Sequence, residues 1–216
     1  MRRSSAGFTL IELLIVIGII GVLAGVLLPQ LVGSQTQANV ASDAIQLGTH
    51  TQFLQFYTTK HNKALPSEGG HKFVLATWTS KVVDQTVENF DKYFAVGTRD
   101  QDNHYQTLRT ELLKGNNPWP QLSSCTPDDT HYAGRAKDKI KSAMQSGNEA
   151  WMANDNDGMW THRDGTVNIL FYGGAVRTFS YQMMQEAYQL GDFDINNPVA
   201  TFGPNSPIPE CKSLDR

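Results

Sequence analysis

From Phe8 to Leu28 nearly every residue is Leu, Ile, Val, Gly or Ala, and the run is broken by only one acid, Glu12. A helix needs about 20 such residues to cross a bilayer core, and this run is long enough. Ahead of it Met1–Gly7 form a polar leader with Arg2, Arg3 and no acid, so the positive-inside rule keeps that end cytoplasmic and sends the rest outward. A secretory signal would place its small-residue cut site after a shorter apolar segment, roughly 7 to 15 residues long. Here the small residue, Gly7, comes first. A cut after Gly7 removes the charged leader, leaves the apolar helix on the mature chain and creates a new amine on Phe8.

Glu12 needs a reason to be where it is. A carboxylate deep in a membrane helix costs up to roughly 3 kcal/mol and usually faces a protein partner. The Phe8 amine, four residues back and about 6 Å along the helix, is the nearest cation, whether its own or a neighbouring subunit's. A neighbour's amine would fix the axial stagger of packed helices. The plainer alternative has Glu12 snorkelling to water at headgroup level. In its order of Gly7, Phe8 and Glu12 the sequence resembles the type IV pilin and type II secretion pseudopilin family. The resemblance implies cleavage between Gly7 and Phe8 by a prepilin peptidase, and methylation of the Phe8 amine. It also implies insertion in a bacterial inner membrane with the head outside, and assembly with other pilin-like subunits into a homo- or hetero-filament. Pro29 falls where many members carry a kinking proline. The likeness ends near that residue and leaves the head undescribed.

The chain divides in expectation into a leader (1–7), a transmembrane stretch (8–28), an amphipathic continuation (29–59) and a head (60–216). Gly18, Gly21 and Gly25 include a GxxxG spacing that lets helix backbones approach, though glycine is also simply common in membrane helices. Pro29 removes one backbone hydrogen bond and predicts a kink. Beyond it Val40, Ala44, Leu47, Thr51 and Leu54 recur at helical spacing, with Ala41, Ile45 and Phe56 beside them, predicting one helix from about Phe8 to Tyr57. The formal charge of -3 grows more negative once Arg2 and Arg3 leave with the leader, which gives no basic stripe for nucleic acid. Cys125 and Cys211 are the only cysteines, an even number in a chain predicted to face an oxidising compartment. A disulfide between them is expected over two unrelated buried thiols.

In the head, Phe73–Trp78 reads as a strand. Ser80 reads as the cap of a helix carrying Val83, Val87, Phe90 and Phe94 and ending near Gly97, and a second helix runs from about Tyr105 to Lys114. Thr166–Tyr172 and Ala175–Ser180 flank Gly173-Gly174, which predicts a tight hairpin. A helix over Tyr181–Leu190 stops at Gly191, and the proline-rich tail after Asn197 is expected to lie extended on the surface. His162, Gly165, Gly173 and Gly174 partly resemble the closing motif of prepilin-like proteins abundant in planctomycetes. Gly173 replaces that motif's Asp, so no role of the Asp transfers. His162 is read as a hydrogen-bonded structural residue rather than a metal ligand. Asp155 and Asp157 in Asn154–Gly158 supply oxygen ligands that suit calcium, but Ala153 occupies the first EF-hand ligand position, so a simple turn is favoured and no cofactor is expected.

Trp78, Trp119, Trp151 and Trp160 are either core or a stacking surface, with core favoured. The sequence holds no Gly-x-Ser-x-Gly elbow, P-loop or His-Glu-x-x-His. The expected architecture is therefore α+β, a long N-terminal helix with a small head on an antiparallel sheet. The expected role is a structural subunit of a pilus or secretion pseudopilus. The alternative is a tethered extracytoplasmic module that binds glycan, DNA or calcium.

Overall fold

The computed structural model describes residues 9–140, 147–154, 160–198 and 202–216. The chain divides into two compact units, Met1–Ala38 and Asn39–Arg216. The first unit holds the apolar part of helix α1, which spans Leu10–Lys60 and continues through Pro29 without interruption. Its large apolar side chains from Leu10 to Val32 stand exposed, Leu10 by 80%. By length and composition this helix is able to cross a membrane.

In the second unit α1 buries Val40, Asp43, Leu47, His50, Phe53 and Leu54. The buried stripe therefore runs through an acid and a histidine rather than through Ala44 and Thr51, which are half-buried. Ile45 and Phe56 lie on the opposite face, 74% and 54% exposed. Polar partners in the head, described below, pull the stripe round to Asp43.

Five strands form one antiparallel sheet in the order β4-β3-β2-β1-β5. They are β1 (Tyr132–Arg135), β2 (Ala150–Asn154), β3 (Val167–Phe171), β4 (Val176–Phe179) and β5 (Leu214–Asp215). In β3 the alternation of side chains divides the core in two: Val167, Ile169 and Phe171 join one cluster and Leu170 the other. The larger cluster packs Leu47 and Leu54 of α1 and Phe73 and Trp78 of α2 (His71–Thr79) against Tyr132, Met152 and Leu170. The smaller cluster packs Met184 of α5 (Tyr181–Tyr188) with Ile208, Cys211 and Leu214. A register shift between Ala150 and Met152 lets Ala150 and Ala153 face the smaller cluster while Met152 faces the larger.

The segment expected as a first strand, Phe73–Trp78, is helical. All its residues are buried, so it shows no polar face, and a short apolar run of this kind reads the same as a buried strand. Ser80 is the C-cap of α2 rather than an N-cap, and Thr86 caps α3 (Val87–Asp91), its hydroxyl accepting from the Asn89 amide at 3.3 Å. Helix α4 covers Asn103–Leu113, close to its expected bounds.

The hairpin forms as expected between β3 and β4. Its turn hydrogen bond runs from the Gly174 amide to the Phe171 carbonyl at 3.0 Å, so the central residues are Tyr172 and Gly173, and Gly174 adds a second positive φ. Helix α5 ends not at Gly191 but on Gln189 in the left-handed conformation. The tail is not extended on the surface. Ile208 and Cys211 are fully buried, and Leu214 pairs with Arg135 at the sheet edge.

Candidate functional site

The first acid of α1 meets its partner at the start of the helix. Thr9 precedes the first helical residue, and its hydroxyl accepts from the Glu12 amide at 3.3 Å. The Glu12 carboxylate in return accepts from the Thr9 amide and hydroxyl, each at 2.8 Å. This reciprocal pair is a capping box, which satisfies amides that the first helical turn leaves unbonded. Thr9 is thus a partner of Glu12 that the sequence reading overlooked, although Thr-x-x-Glu before an apolar run is a recognisable signal. Gly7 and Phe8 lie outside the described residues. Among the described residues, nothing beyond the adjoining helix backbone and chain neighbours lies within 4 Å of where a Cβ on Gly18, Gly21 or Gly25 would stand, so no other described element covers this face. Pro29 stays within the helix.

The second acid, Asp43, is fully buried in the head. One carboxylate oxygen accepts the Tyr132 hydroxyl at 2.6 Å. The other accepts the side-chain amides of Asn154 and Asn168, both at 2.9 Å, and lies 3.2 Å from His162 Nε2. These donors come from β1, β2, β3 and the β2–β3 loop. Burial works against the charged form of Asp43, yet hydrogen bonds from His162, Tyr132 and Asn168 prevail and hold its carboxyl below the usual range. Burial and the same carboxylate push the Tyr132 phenol well above its ordinary value, so it remains a donor.

The cluster is closed by outer contacts. Asn168 also donates to the Val40 carbonyl at 3.0 Å and accepts the Thr178 hydroxyl at 2.7 Å. Gln46 donates to the Phe94 carbonyl at 2.7 Å and to the Tyr132 oxygen at 3.0 Å. One turn further along α1, His50 is buried with Nε2 2.8 Å from the Lys92 carbonyl, edge-on to Phe53, Tyr93 and Tyr132. Burial depresses its pKa to about 4, so it is neutral and donates to that carbonyl. Asp43 was missed as a site residue, but its signal was present: it lies three residues after Val40 and four before Leu47, on the apolar stripe.

His162 is therefore hydrogen-bonded within this cluster. Gly165 closes a turn on it, its amide donating to the His162 carbonyl at 2.9 Å. Gly173 and Gly174 belong to the separate β3–β4 turn. Asp155 and Asp157 lie outside the described residues, and among the described residues no group of three or more His, Cys, Asp or Glu is placed to hold a metal.

The expected disulfide is not formed: Cys125 and Cys211 are both free and buried. Cys125 belongs to the larger core cluster and Cys211 to the smaller, so the two thiols lie in separate cores. Burial, with the charges of Asp129 and Glu210 respectively, pushes both thiols upward, that of Cys125 to about 12. All four tryptophans are buried, Trp151 most exposed at 7%, and they are core rather than a stacking surface.

Residues 2–28 match the family model described as the prokaryotic N-terminal methylation motif. The chain is also 33% identical over 93 residues to the type IV wide pilus major component PilA4 of Thermus thermophilus, covering 41% of this chain and 71% of that protein. No solved structure matches with comparable significance.

Proposed function

Because this chain belongs to the type IV pilin family, we propose that it is a filament subunit delivered through the bacterial inner membrane. A prepilin peptidase cuts between Gly7 and Phe8 and methylates the new amine. The mature chain, its head outside the membrane, then packs with like chains into a type IV pilus or type II secretion pseudopilus. Members of such a family are structural rather than catalytic, and the filament would be made of this chain alone or of several pilin-like chains.

The observation that carries this reading is Glu12, the one acid in the stretch of α1 whose apolar side chains are exposed. Those side chains require lipid or other helices around them. Filament packing replaces helix–lipid contact by helix–helix contact, and the open face at Gly18, Gly21 and Gly25 suits close backbone approach. Among the described residues Glu12 is bound within its own capping box, and a neighbour's Phe8 amine would offer it the counter-charge that Thr9 lacks.

The decisive experiment compares the native chain with Glu12→Ala. Mass spectrometry of the native chain should find an N-terminus at methylated Phe8. The variant should be cut and inserted as well as the native chain yet be missing from sheared filaments. Retention of Met1, scission beyond Leu28 or normal assembly of the variant would overturn the proposal.

A further inference from the structure

Away from the Asp43 cluster, the head contains a cavity of about 480 Å³ lined in part by Gln101, Asp102, Asn103, His104, His131 and Arg216. Its volume falls within the roughly 300 to 1,000 Å³ of small-ligand clefts, and although much of its wall is apolar, as in such clefts, every residue that lines it carries a polar group. We propose that this cavity binds a neutral polyhydroxylated ligand, a saccharide unit, through the Asp102 carboxylate, the His104 imidazole and the Arg216 guanidinium. The site is separate from the filament role and depends on no part of it.

The wall groups are held in place from behind. Asp102 caps α4, one carboxylate oxygen accepting the His104 amide at 2.8 Å and the other lying 3.0 Å from His131 Nε2. The remaining nitrogen of His131 accepts the Ala95 amide at 3.2 Å. The imidazole proton therefore sits on Nε2 and is donated to Asp102. His104 Nε2 stands 2.9 Å from Asp129, whose second oxygen is fixed by the Thr126 amide at 2.6 Å and hydroxyl at 3.0 Å. An ionised carboxylate only accepts, so Nε2 is the donor there, which leaves Nδ1 to meet a ligand. Arg216 is placed by Asp128 at 3.0 Å, and Gln101 by Arg163 at 3.4 Å.

Asp102 and His104 keep hydrogen-bonding capacity after these bonds. A carboxylate has about four lone-pair sites, and those of Asp102 are only partly used. Burial opposes its charge, yet the bonds from His131 and the His104 amide keep it below the usual carboxylate range, so it accepts at neutral pH. Asp102, His104 and Arg216 retain 26%, 42% and 33% of their side-chain exposure, enough to meet a ligand.

The mixture of charges selects the ligand. A simple cation entering the cavity meets Arg216, and a simple anion meets Asp102 and Asp128. Neighbouring hydroxyls avoid both conflicts because each donates and accepts: they give protons to Asp102 and His104, and take them from the Arg216 fork and the amides of Gln101 and Asn103. Groups already locked by their outer partners lose little freedom when the ligand arrives.

The test uses the full chain in a detergent without a sugar headgroup. Glucose, galactose, mannose and N-acetylglucosamine are the probes, with lysine amide and inorganic phosphate as charged comparators, read by saturation-transfer NMR and calorimetry. At least one sugar should bind saturably in the millimolar range or tighter. Gln101→Ala should weaken it about fivefold and Arg216→Gln about tenfold, the worth of one neutral and one charge-assisted hydrogen bond. Met183→Ala, an exposed change outside the cavity lining, should leave it intact. Melting temperatures identify any variant that fails to fold, and Asn103→Ala then takes its place. Absence of sugar binding, binding indifferent to the cavity variants, or preference for lysine amide or phosphate would overturn the assignment.

Discussion

Asp43 and His50 occupy places on α1 that the hydrophobic period would give to aliphatic side chains. For Asp43 the cost of burial is offset because donors meet it on both oxygens. Asp43→Ala should destabilise the head by about 3 to 5 kcal/mol, since it strands the Tyr132 hydroxyl, two amides and an imidazole without their acceptor. Denaturant titration followed by tryptophan fluorescence checks this. Asp43→Asn, which keeps the shape and removes the charge, should lose less. His50 gives the pH dependence a sign. Its folded pKa, about 4, lies below the ordinary value of 6.5, so the unfolded chain takes up the proton first. Its stabilising contribution is complete above about pH 6.5, falls as pH drops towards 4, and amounts to about 3 kcal/mol over that window. His50→Gln should flatten that part of the stability profile. The sequence revealed Glu12 as a site because an acid among aliphatic residues stands out. Asp43 stood out less, because although it falls on the Val40–Leu47 stripe, the donors that hold it come together only once the strands are in place.

Among the elements, the legible ones were those whose signal is local. The β3–β4 hairpin follows from two glycines between β-branched runs, and α4 from a short helical stretch stopped by Gly115, neither depending on the rest of the fold. The misread element, α2, depends on tertiary surroundings: every residue from Phe73 to Trp78 is buried, so no periodicity marks the helix. Its closeness to β1 does leave a mark. A Cβ on Gly134 would stand 2.3 Å from the Gly70 carbonyl oxygen and 3.0 Å from the Phe73 Cβ. Backbone and a helix stem cannot yield cheaply there. Gly134→Ala should therefore cost about 1 to 3 kcal/mol, as overpacking does, and thermal melts should show the loss. Gly173→Ala places its Cβ in open space but at a φ of 86°, and so tests backbone strain separately from packing.

In the head as a whole, the sheet separates two cores with different supports, one under α1 and α2 and the other under α5 and the returning tail. An even cysteine count in a chain expected to face an oxidising compartment suggested a bridge, but Cys125 and Cys211 fall on either side of that partition. Melting temperature should therefore be the same with and without reductant, and alkylation after unfolding should label both thiols. A drop in reductant would refute the partition. What the sequence could supply at this scale was the α+β class and the apolar helix. The division of the cysteines depends on which strand faces count as inside, and that becomes fixed only when β3 is covered on both sides.

The convergence on Asp43 also has a mechanical meaning. Donors from three strands and a loop grip one point on α1, so a pull along that helix loads them in parallel rather than one after another. Sliding the head along its helix by even a single turn would tear every one of these links in one event. Resistance to tension in such an arrangement is all-or-none, and the weakest moment of a loaded subunit is set by how fast this one knot lets go.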